Sequence, residues 1–227
     1  MIRVENVSKS FTLHNQRGAT IEVMRGATFA VAPGAGVVFT GVSGAGKSML
    51  MRMIYANYLA ASGWILVGAA DVARAEPREI LGFRREALGY VCQFLRVVAR
   101  VPTREVVAGP LLVVGAPRDE ALDRAEELLA RLNVAQVLWR LSPTTFSGGE
   151  QQRVNIARGF VHAYLALLLD EPTASLDVKN RATVLALIEE AKARGGAIAG
   201  IFHDEDARAQ VATREIDVSV FTPGRAA

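Results

Sequence analysis

One cysteine, Cys92, stands in 227 residues. It excludes an intrachain disulfide and any metal site built from several cysteines, and it points to a reduced, cytosolic setting. Neither sign of charge dominates: 26 Lys+Arg against 23 Asp+Glu leave a formal net charge of +3. So small an excess makes no electrostatic case for a nucleic-acid or membrane-surface partner. Aromatic residues are only 7% of the chain and are not interleaved with basic ones, as base stacking would require. Long hydrophobic runs are also lacking. A membrane-spanning helix needs about 20 largely apolar residues. The longest candidate, Val106 to Val114, is shorter, contains Gly109 and Pro110, and is flanked by Arg104 and Glu105. The first residues, MIRVENVSKSF, carry charge throughout and lack the apolar stretch of a signal peptide. No internal repeat or low-complexity linker interrupts the chain.

Apolar material, by contrast, is plentiful. A hydrophobic fraction of 51% is ample for a core and argues against disorder. The length allows one large domain or two small ones. A mean hydropathy of +0.22 is high for a soluble chain and points to apolar surface covered by partner subunits. Ile2 to Val7 and Glu22 to Val31 read as short strands, and Pro33 to Gly36 as a turn. Val37 to Thr40 reads as a buried strand, followed by a glycine-rich loop and a helix from about Lys47 to Tyr58. Leu88 to Gln93 reads as another strand. Pro117 to Glu120 opens a helix whose Leu122, Ala125, Leu128, Leu129 and Leu132 form one apolar stripe. Ser147 and Glu150 have the spacing of a capping box at a helix start. Leu165 to Leu169 is uniformly apolar, as in a parallel strand covered on both faces. A helix from about Val178 to Arg194 stops at Gly195-Gly196, and Ala197 to Phe202 is a further buried strand. The pattern is α/β, with a helical insertion between roughly Phe94 and Phe160.

Gly41-Val42-Ser43-Gly44-Ala45-Gly46-Lys47-Ser48 fits G-x-x-x-x-G-K-[ST], with a strand before it and a helix after it. Its glycines let the backbone curl so that amides face phosphate oxygens, and the helix adds its positive end. Lys47 would neutralise β- and γ-phosphate charge, and the Ser48 hydroxyl would bind Mg²⁺. Asp170 and Glu171 follow the apolar strand, where side chains project into the ligand crevice of a parallel sheet. Asp170 suits a Mg²⁺-holding carboxylate, and Glu171 suits a group that orients or deprotonates water.

Phe146-Ser147-Gly148-Gly149-Glu150-Gln151-Gln152-Arg153 resembles the signature of ATP-binding-cassette (ABC) proteins, with Phe146 for the usual Leu and Glu150 for the usual Gln. Order and company support the resemblance. Gln93 follows a strand as the family's Q-loop does, Ser175-Leu176-Asp177 looks like its D-loop, and His203 follows a strand as its switch histidine does. Phe11 takes the place of an adenine-stacking aromatic. The resemblance implies one ABC nucleotide-binding domain over 1–227. It would have a P-loop NTPase core with a mostly parallel sheet (about 1–93 and 161–227), a small N-terminal antiparallel β part, and a helical subdomain over about 94–160. It also implies ATP and Mg²⁺ as ligands. Gly41, Ser43, Gly44, Ala45, Gly46, Lys47, Ser48 and Met49, with Phe11, would hold the nucleotide. Ser147, Gly148, Gly149, Glu150 and Asp177 would face it from a second cassette, either another copy or a related ABC subunit. Ser48, Gln93 and Asp170 would serve the metal, and Glu171, His203 and Gln93 the hydrolysis.

Within the superfamily, Tyr55 to Leu59, Gln93-Phe94-Leu95-Arg96-Val97, Phe146 to Phe160 and Gly200 to Glu205 resemble one branch. That branch comprises the ATP-binding subunits (PhnL-type) of the bacterial phosphonate carbon–phosphorus lyase system. It implies a cytoplasmic ATPase with lyase components as partners, working in the formation of ribose 1-methylphosphonate 5-triphosphate from ATP and methylphosphonate. The alternative is the nucleotide-binding subunit of a lipoprotein-release or macrolide-export transporter, partnered by a membrane permease. Met49, Cys92 and Ala45 depart from the common pattern without removing a phosphate or metal ligand. Cys92 itself is expected to be a small core residue, and Trp64 and Trp139 to be packing residues. His14 and His162 are expected to be structural. Arg74, Arg78, Arg84 and Arg85, interleaved with Glu76, Glu79 and Glu86, are expected to form a solvated face.

Overall fold

The computed structural model describes residues 1–13, 18–95 and 99–223. His14, Arg96 and Val97 lie outside them. Among the described residues nine strands run in chain order: β1 (Ile2–Leu13), β2 (Ala19–Val31), β3 (Gly36–Thr40), β4 (Ser62–Val67), β5 (Ala70–Asp71), β6 (Leu88–Val91), β7 (Ala166–Asp170), β8 (Ala197–Ile201) and β9 (Arg214–Asp217). The described residues also form seven α-helices: α1 (Lys47–Ile54), α2 (Pro77–Glu86), α3 (Thr103–Val113), α4 (Arg118–Arg131), α5 (Gly148–Phe160), α6 (Val178–Ala193) and α7 (Glu205–Val211).

The strands form two sheets. One is antiparallel, in the order β2-β1-β4-β5, and the other has the order β6-β7-β8-β3-β9 with every neighbouring pair parallel. All five residues of β7 and all five of β8 are buried, so the parallel sheet is covered on both faces. The alternation of side chains decides which face each residue serves. Val38, Leu167, Leu169 and Ile198 join a core shared with α3, α4, α5 and α6. Val37, Phe39, Leu168, Ala199 and Ile201 join a second core with α1 and the antiparallel sheet. The α/β class read from the sequence is therefore present, including the small antiparallel part.

Several elements differ from the sequence reading. α1 stops at Ile54 rather than Tyr58, because Ala56 takes a left-handed φ of 58° and turns the chain away. β6 ends at Val91, two residues before Gln93, and Leu165 stays outside β7, 41% exposed. The Val106 to Val114 stretch lies mostly in α3, with Pro110 inside it. Burial of Val106, Val107 and Ala108 against α4 and α5 compensates for the missing amide. Among the described residues no helix is long and apolar enough to cross a membrane.

α5 is seated unusually closely on the sheet. A Cβ added at Gly159 would lie 2.2 Å from Val91 Cγ2. The capping box at its start is formed as the spacing implied: Ser147 Oγ accepts the Glu150 amide, and Glu150 Oε2 accepts the Ser147 amide at 2.9 Å.

Candidate active site

The parallel sheet brings the chemistry to one edge. Residues 41–48 follow β3, Gln93 follows β6, Glu171 follows Asp170 at the end of β7, and His203 follows β8. With β8 lying between β3 and β7, all four segments leave carboxyl ends of neighbouring strands, where ligands bind in open α/β sheets.

The loop after β3 turns through three left-handed glycines, Gly41 (φ 119°), Gly44 (φ 79°) and Gly46 (φ 96°). Gly41 is also a close approach, since a Cβ there would sit 2.8 Å from Asp217 Oδ1. Lys47 Nζ donates to Gly41 O at 2.6 Å and to Val42 O at 3.1 Å, which draws the loop into a ring. From behind, Thr222 Oγ1 donates to Ala45 O at 3.2 Å. Gly46, the residue that caps α1, makes no side-chain hydrogen bond to the first-turn amides, which include those of Ser48 and Met49. A curled loop with helix-start amides and one lysine is a fit for polyphosphate. Ala45 is buried and Met49 packs partly into the core, so the backbone is what these two offer a ligand.

Ser48, Gln93 and Asp170 line one cavity of about 1380 Å³, together with Arg52, Tyr55, Tyr90 and Cys92. A hydroxyl, an amide and a carboxylate are hard oxygen donors, which suits Mg²⁺ rather than a softer metal. Among the described residues no group of three or more His, Cys, Asp or Glu exists that would hold a different ion. Asp170 is only 7% exposed, and Tyr90 Oη donates to its Oδ2 at 3.0 Å. Burial raises the Asp170 carboxyl above the ordinary range, while the Tyr90 hydrogen bond pulls the other way. Burial, and then the neighbouring Asp170 charge, pushes the Tyr90 phenol upward.

Glu171 has a left-handed φ of 54° and is pinned there by its amide, which donates to Ile201 O at 3.0 Å. Its Oε1 lies 2.7 Å from His203 Nε2. With the proton on Nε2, the imidazole donates to the carboxylate. His203 is largely exposed, and the next residue, Asp204, caps α7 through the Ala207 amide and accepts from Arg181 Nη1 at 2.7 Å. The histidine is thus presented from a fixed turn.

The remaining expected residues sit elsewhere. Ser147 to Glu150 and Asp177 are not walls of this cavity. The Ser147 hydroxyl also donates to Glu150 Oε2 at 2.7 Å, and these bonds hold the Glu150 carboxyl below its usual range. Asp177 caps α6, accepting the Asn180 amide and side chain at 2.8 Å each, which lowers its pKa. Phe11 meets Tyr58 edge-on at 6.0 Å, with Lys9 Nζ 5.0 Å from its ring.

Some expectations are corrected here. Cys92 is half-buried on the cavity wall, with Sγ donating to Phe94 O at 2.9 Å, rather than part of the core. Arg84 does not belong to a solvated face. Its Nε and Nη2 donate to Tyr55 O at 2.9 and 2.6 Å, and its guanidinium lies 4.3 Å from the Tyr55 ring. Trp64 is 43% exposed beneath Arg74, whereas Trp139 does pack, donating to Val134 O at 2.9 Å. His162 is structural, with Nε2 3.0 Å from Glu86 O. Sequence reasoning missed Tyr90 and Asn155. Buried Asn155, on α5, donates to Cys92 O and so ties the signature helix to the start of the Gln93 loop. A polar residue inside the Val154–Ala157 apolar run was the available signal for Asn155; Tyr90 offered none.

The ABC transporter family profile matches residues 24–174. The pyoverdine export ATP-binding/permease protein PvdT of Pseudomonas entomophila is 38% identical over 192 residues, covering 84% of this chain and 29% of that protein. The macrolide export ATP-binding/permease protein MacB of Shigella sonnei is 31% identical over 218 residues, covering 96% of this chain and 33% of that protein. The chain thus spans about a third of the length of these curated relatives. Among solved structures, the dimeric post-hydrolysis ATP-binding cassette MJ0796 bound to ADP and Pi superposes with a TM-score of 0.87 at 23% identity, over 96% of this chain and 95% of that one. At that identity the likeness shows the fold.

Proposed function

The chain belongs to the ABC transporter family of ATP-binding cassettes, and from that premise we propose that it hydrolyses ATP at a site shared between two cassettes. The observation that carries the chemistry is the 2.7 Å contact of Glu171 with His203, one residue beyond Asp170 and across β8 from the phosphate loop. Lys47 and the amides after Gly41 take the β- and γ-phosphates. Ser48, Asp170 and Gln93 would hold Mg²⁺, which would supply neutralisation of phosphate charge. Glu171 accepts the proton of the attacking water, and His203 fixes the carboxylate and reaches the γ-phosphate. Ser147, Gly148, Gly149 and Asp177 lie outside the cavity that contains Ser48 and Asp170. They serve the nucleotide of a partner cassette, so closure is head to tail and depends on ATP. The helices within about 94–160 form the unit that moves, since Asn155 links α5 to the Gln93 loop. Phe11, on β1, stacks on adenine.

Two couplings are proposed for this ATPase. Export is favoured by the named relatives, an export protein for pyoverdine and one for macrolides, and would pair the chain with a membrane permease. The phosphonate carbon–phosphorus lyase system is favoured by the four sequence phrases. One of these has a local role: Tyr55 O and Asn57 Oδ1 both accept from Arg84. In that setting the chain is cytoplasmic and pairs with a second soluble cassette. Affinity capture of the tagged chain from its host grown on phosphonate decides between them. A permease without lyase components establishes export; lyase components without a permease establish the second reading. Sedimentation of Glu171→Gln with and without ATP tests the shared site, because a chain that stays monomeric with saturating ATP opposes closure with its own copy.

A further inference from the structure

We propose that Tyr90 is a positioning residue for Asp170, seated by Tyr55 and Arg84, and that its hydroxyl sets the metal affinity of the site. The inference deepens the Mg²⁺–ATP reading and rests on it. A carboxylate at the end of a strand turns broadly about its last torsion, so a single bond to one oxygen selects an orientation. Tyr90 supplies that bond from β6, at 3.0 Å to Asp170 Oδ2. The two residues are 80 positions apart and meet because β6 and β7 are parallel neighbours.

Tyr90 is itself held. Its ring lies 5.0 Å from that of Tyr55, tilted by 49°. Tyr55 is fixed on its other side by Arg84, which donates twice to its carbonyl, once to Asn57 Oδ1 at 2.8 Å, and lies over its ring. α2, the turn after α1 and β6 therefore form a chain of contacts that ends on one carboxylate oxygen of β7. A phenylalanine at position 90 would fill the same space. The hydroxyl adds a desolvation cost that only its bond to Asp170 offsets among the described residues. Partners of this kind, bonded to a metal ligand rather than to the metal, change metal affinity by roughly 10- to 100-fold when removed.

The test is Mn²⁺ binding, read by electron paramagnetic resonance on the full chain with ATP present. The proteins are the parent, Tyr90→Phe, Asp170→Asn and the double variant. Tyr90→Phe is expected to weaken Mn²⁺ about tenfold while ATP affinity without metal is unchanged. In the Asp170→Asn background the same substitution should add nothing. Tyr55→Leu, which keeps the hydroxyl but removes its seat, should give a smaller loss in the same direction and serves if Tyr90→Phe folds poorly. Unchanged Mn²⁺ affinity in Tyr90→Phe, with a clear loss in Asp170→Asn, overturns the role of Tyr90 alone. Unchanged affinity in Asp170→Asn overturns the metal reading and this proposal with it.

Discussion

Glu171 combines a demanding backbone with a demanding side chain, so replacing it by glycine separates fold from chemistry. Its φ of 54° is a left-handed conformation that costs an ordinary L-residue about 1–2 kcal/mol. Glu171→Gly recovers that amount. Against it stand about 0.5–1 kcal/mol for the extra freedom of glycine in the unfolded chain. The lost contact with His203 subtracts no more than about 1 kcal/mol, because the histidine side chain is 72% exposed and solvent screens the pair. The terms nearly cancel, and the variant should unfold within about 1 kcal/mol of the parent in urea, with an unchanged m-value. Hydrolysis should nevertheless fall by roughly 10²–10⁴-fold, the usual contribution of a positioned base. Urea midpoints and single-turnover ATPase rates on the same preparations check both halves. Normal turnover in Glu171→Gly would refute the role of the carboxylate. A loss of several kcal/mol would refute the strain argument and attribute inactivity to unfolding.

Lys47→Ala should weaken Mg²⁺–ATP binding about 10- to 100-fold in titration calorimetry, since hydrogen bonds to charged groups contribute roughly 1.5–3 kcal/mol; equal affinity would dismiss the loop as the nucleotide site. Gly159→Ala should destabilise despite the better helix propensity of alanine, because its methyl would meet buried, β-branched Val91 at 2.2 Å and overpacking costs about 1–3 kcal/mol. Val91→Ala in the same chain should restore part of the loss, and additive urea midpoints in the double variant would exclude the contact. The Asp177 carboxyl is held below its ordinary value by Asn180, so its stabilisation is complete above the unfolded aspartate range, near pH 4, and disappears as pH falls through the lower folded value. Stability of Asp177→Asn should therefore fall less steeply than the parent's over that acid range, and parallel curves from thermal melts between pH 2 and 5 would count against the cap.

What could be read from the residues was local. The phosphate loop, the all-buried β7 and the Ser147–Glu150 box each need only short spacings, and each has the backbone its spacing implied. The sequence order of the other candidate residues also placed them at strand ends, because a parallel α/β sheet delivers every crossover to the same edge. What escaped was set by tertiary contact. α3 forms although it contains Gly109 and Pro110, since burial against α4 and α5 outweighs propensity. Arg84 looked like one of several solvated charges, yet the turn at Ala56 brings the Tyr55 carbonyl within its reach. The Tyr90–Asp170 bond spans strands that no short window contains.

If Glu171 completes a hydrolytic ATP site, the nucleotide retained after turnover depends on its carboxylate. Parent and Glu171→Gln proteins would be incubated with Mg²⁺ and radiolabelled ATP, freed of unbound ligand, and their bound nucleotide identified by chromatography. ADP is expected on the parent and intact ATP on Glu171→Gln. The same ADP fraction on both proteins, formed at the same rate, would contradict that dependence.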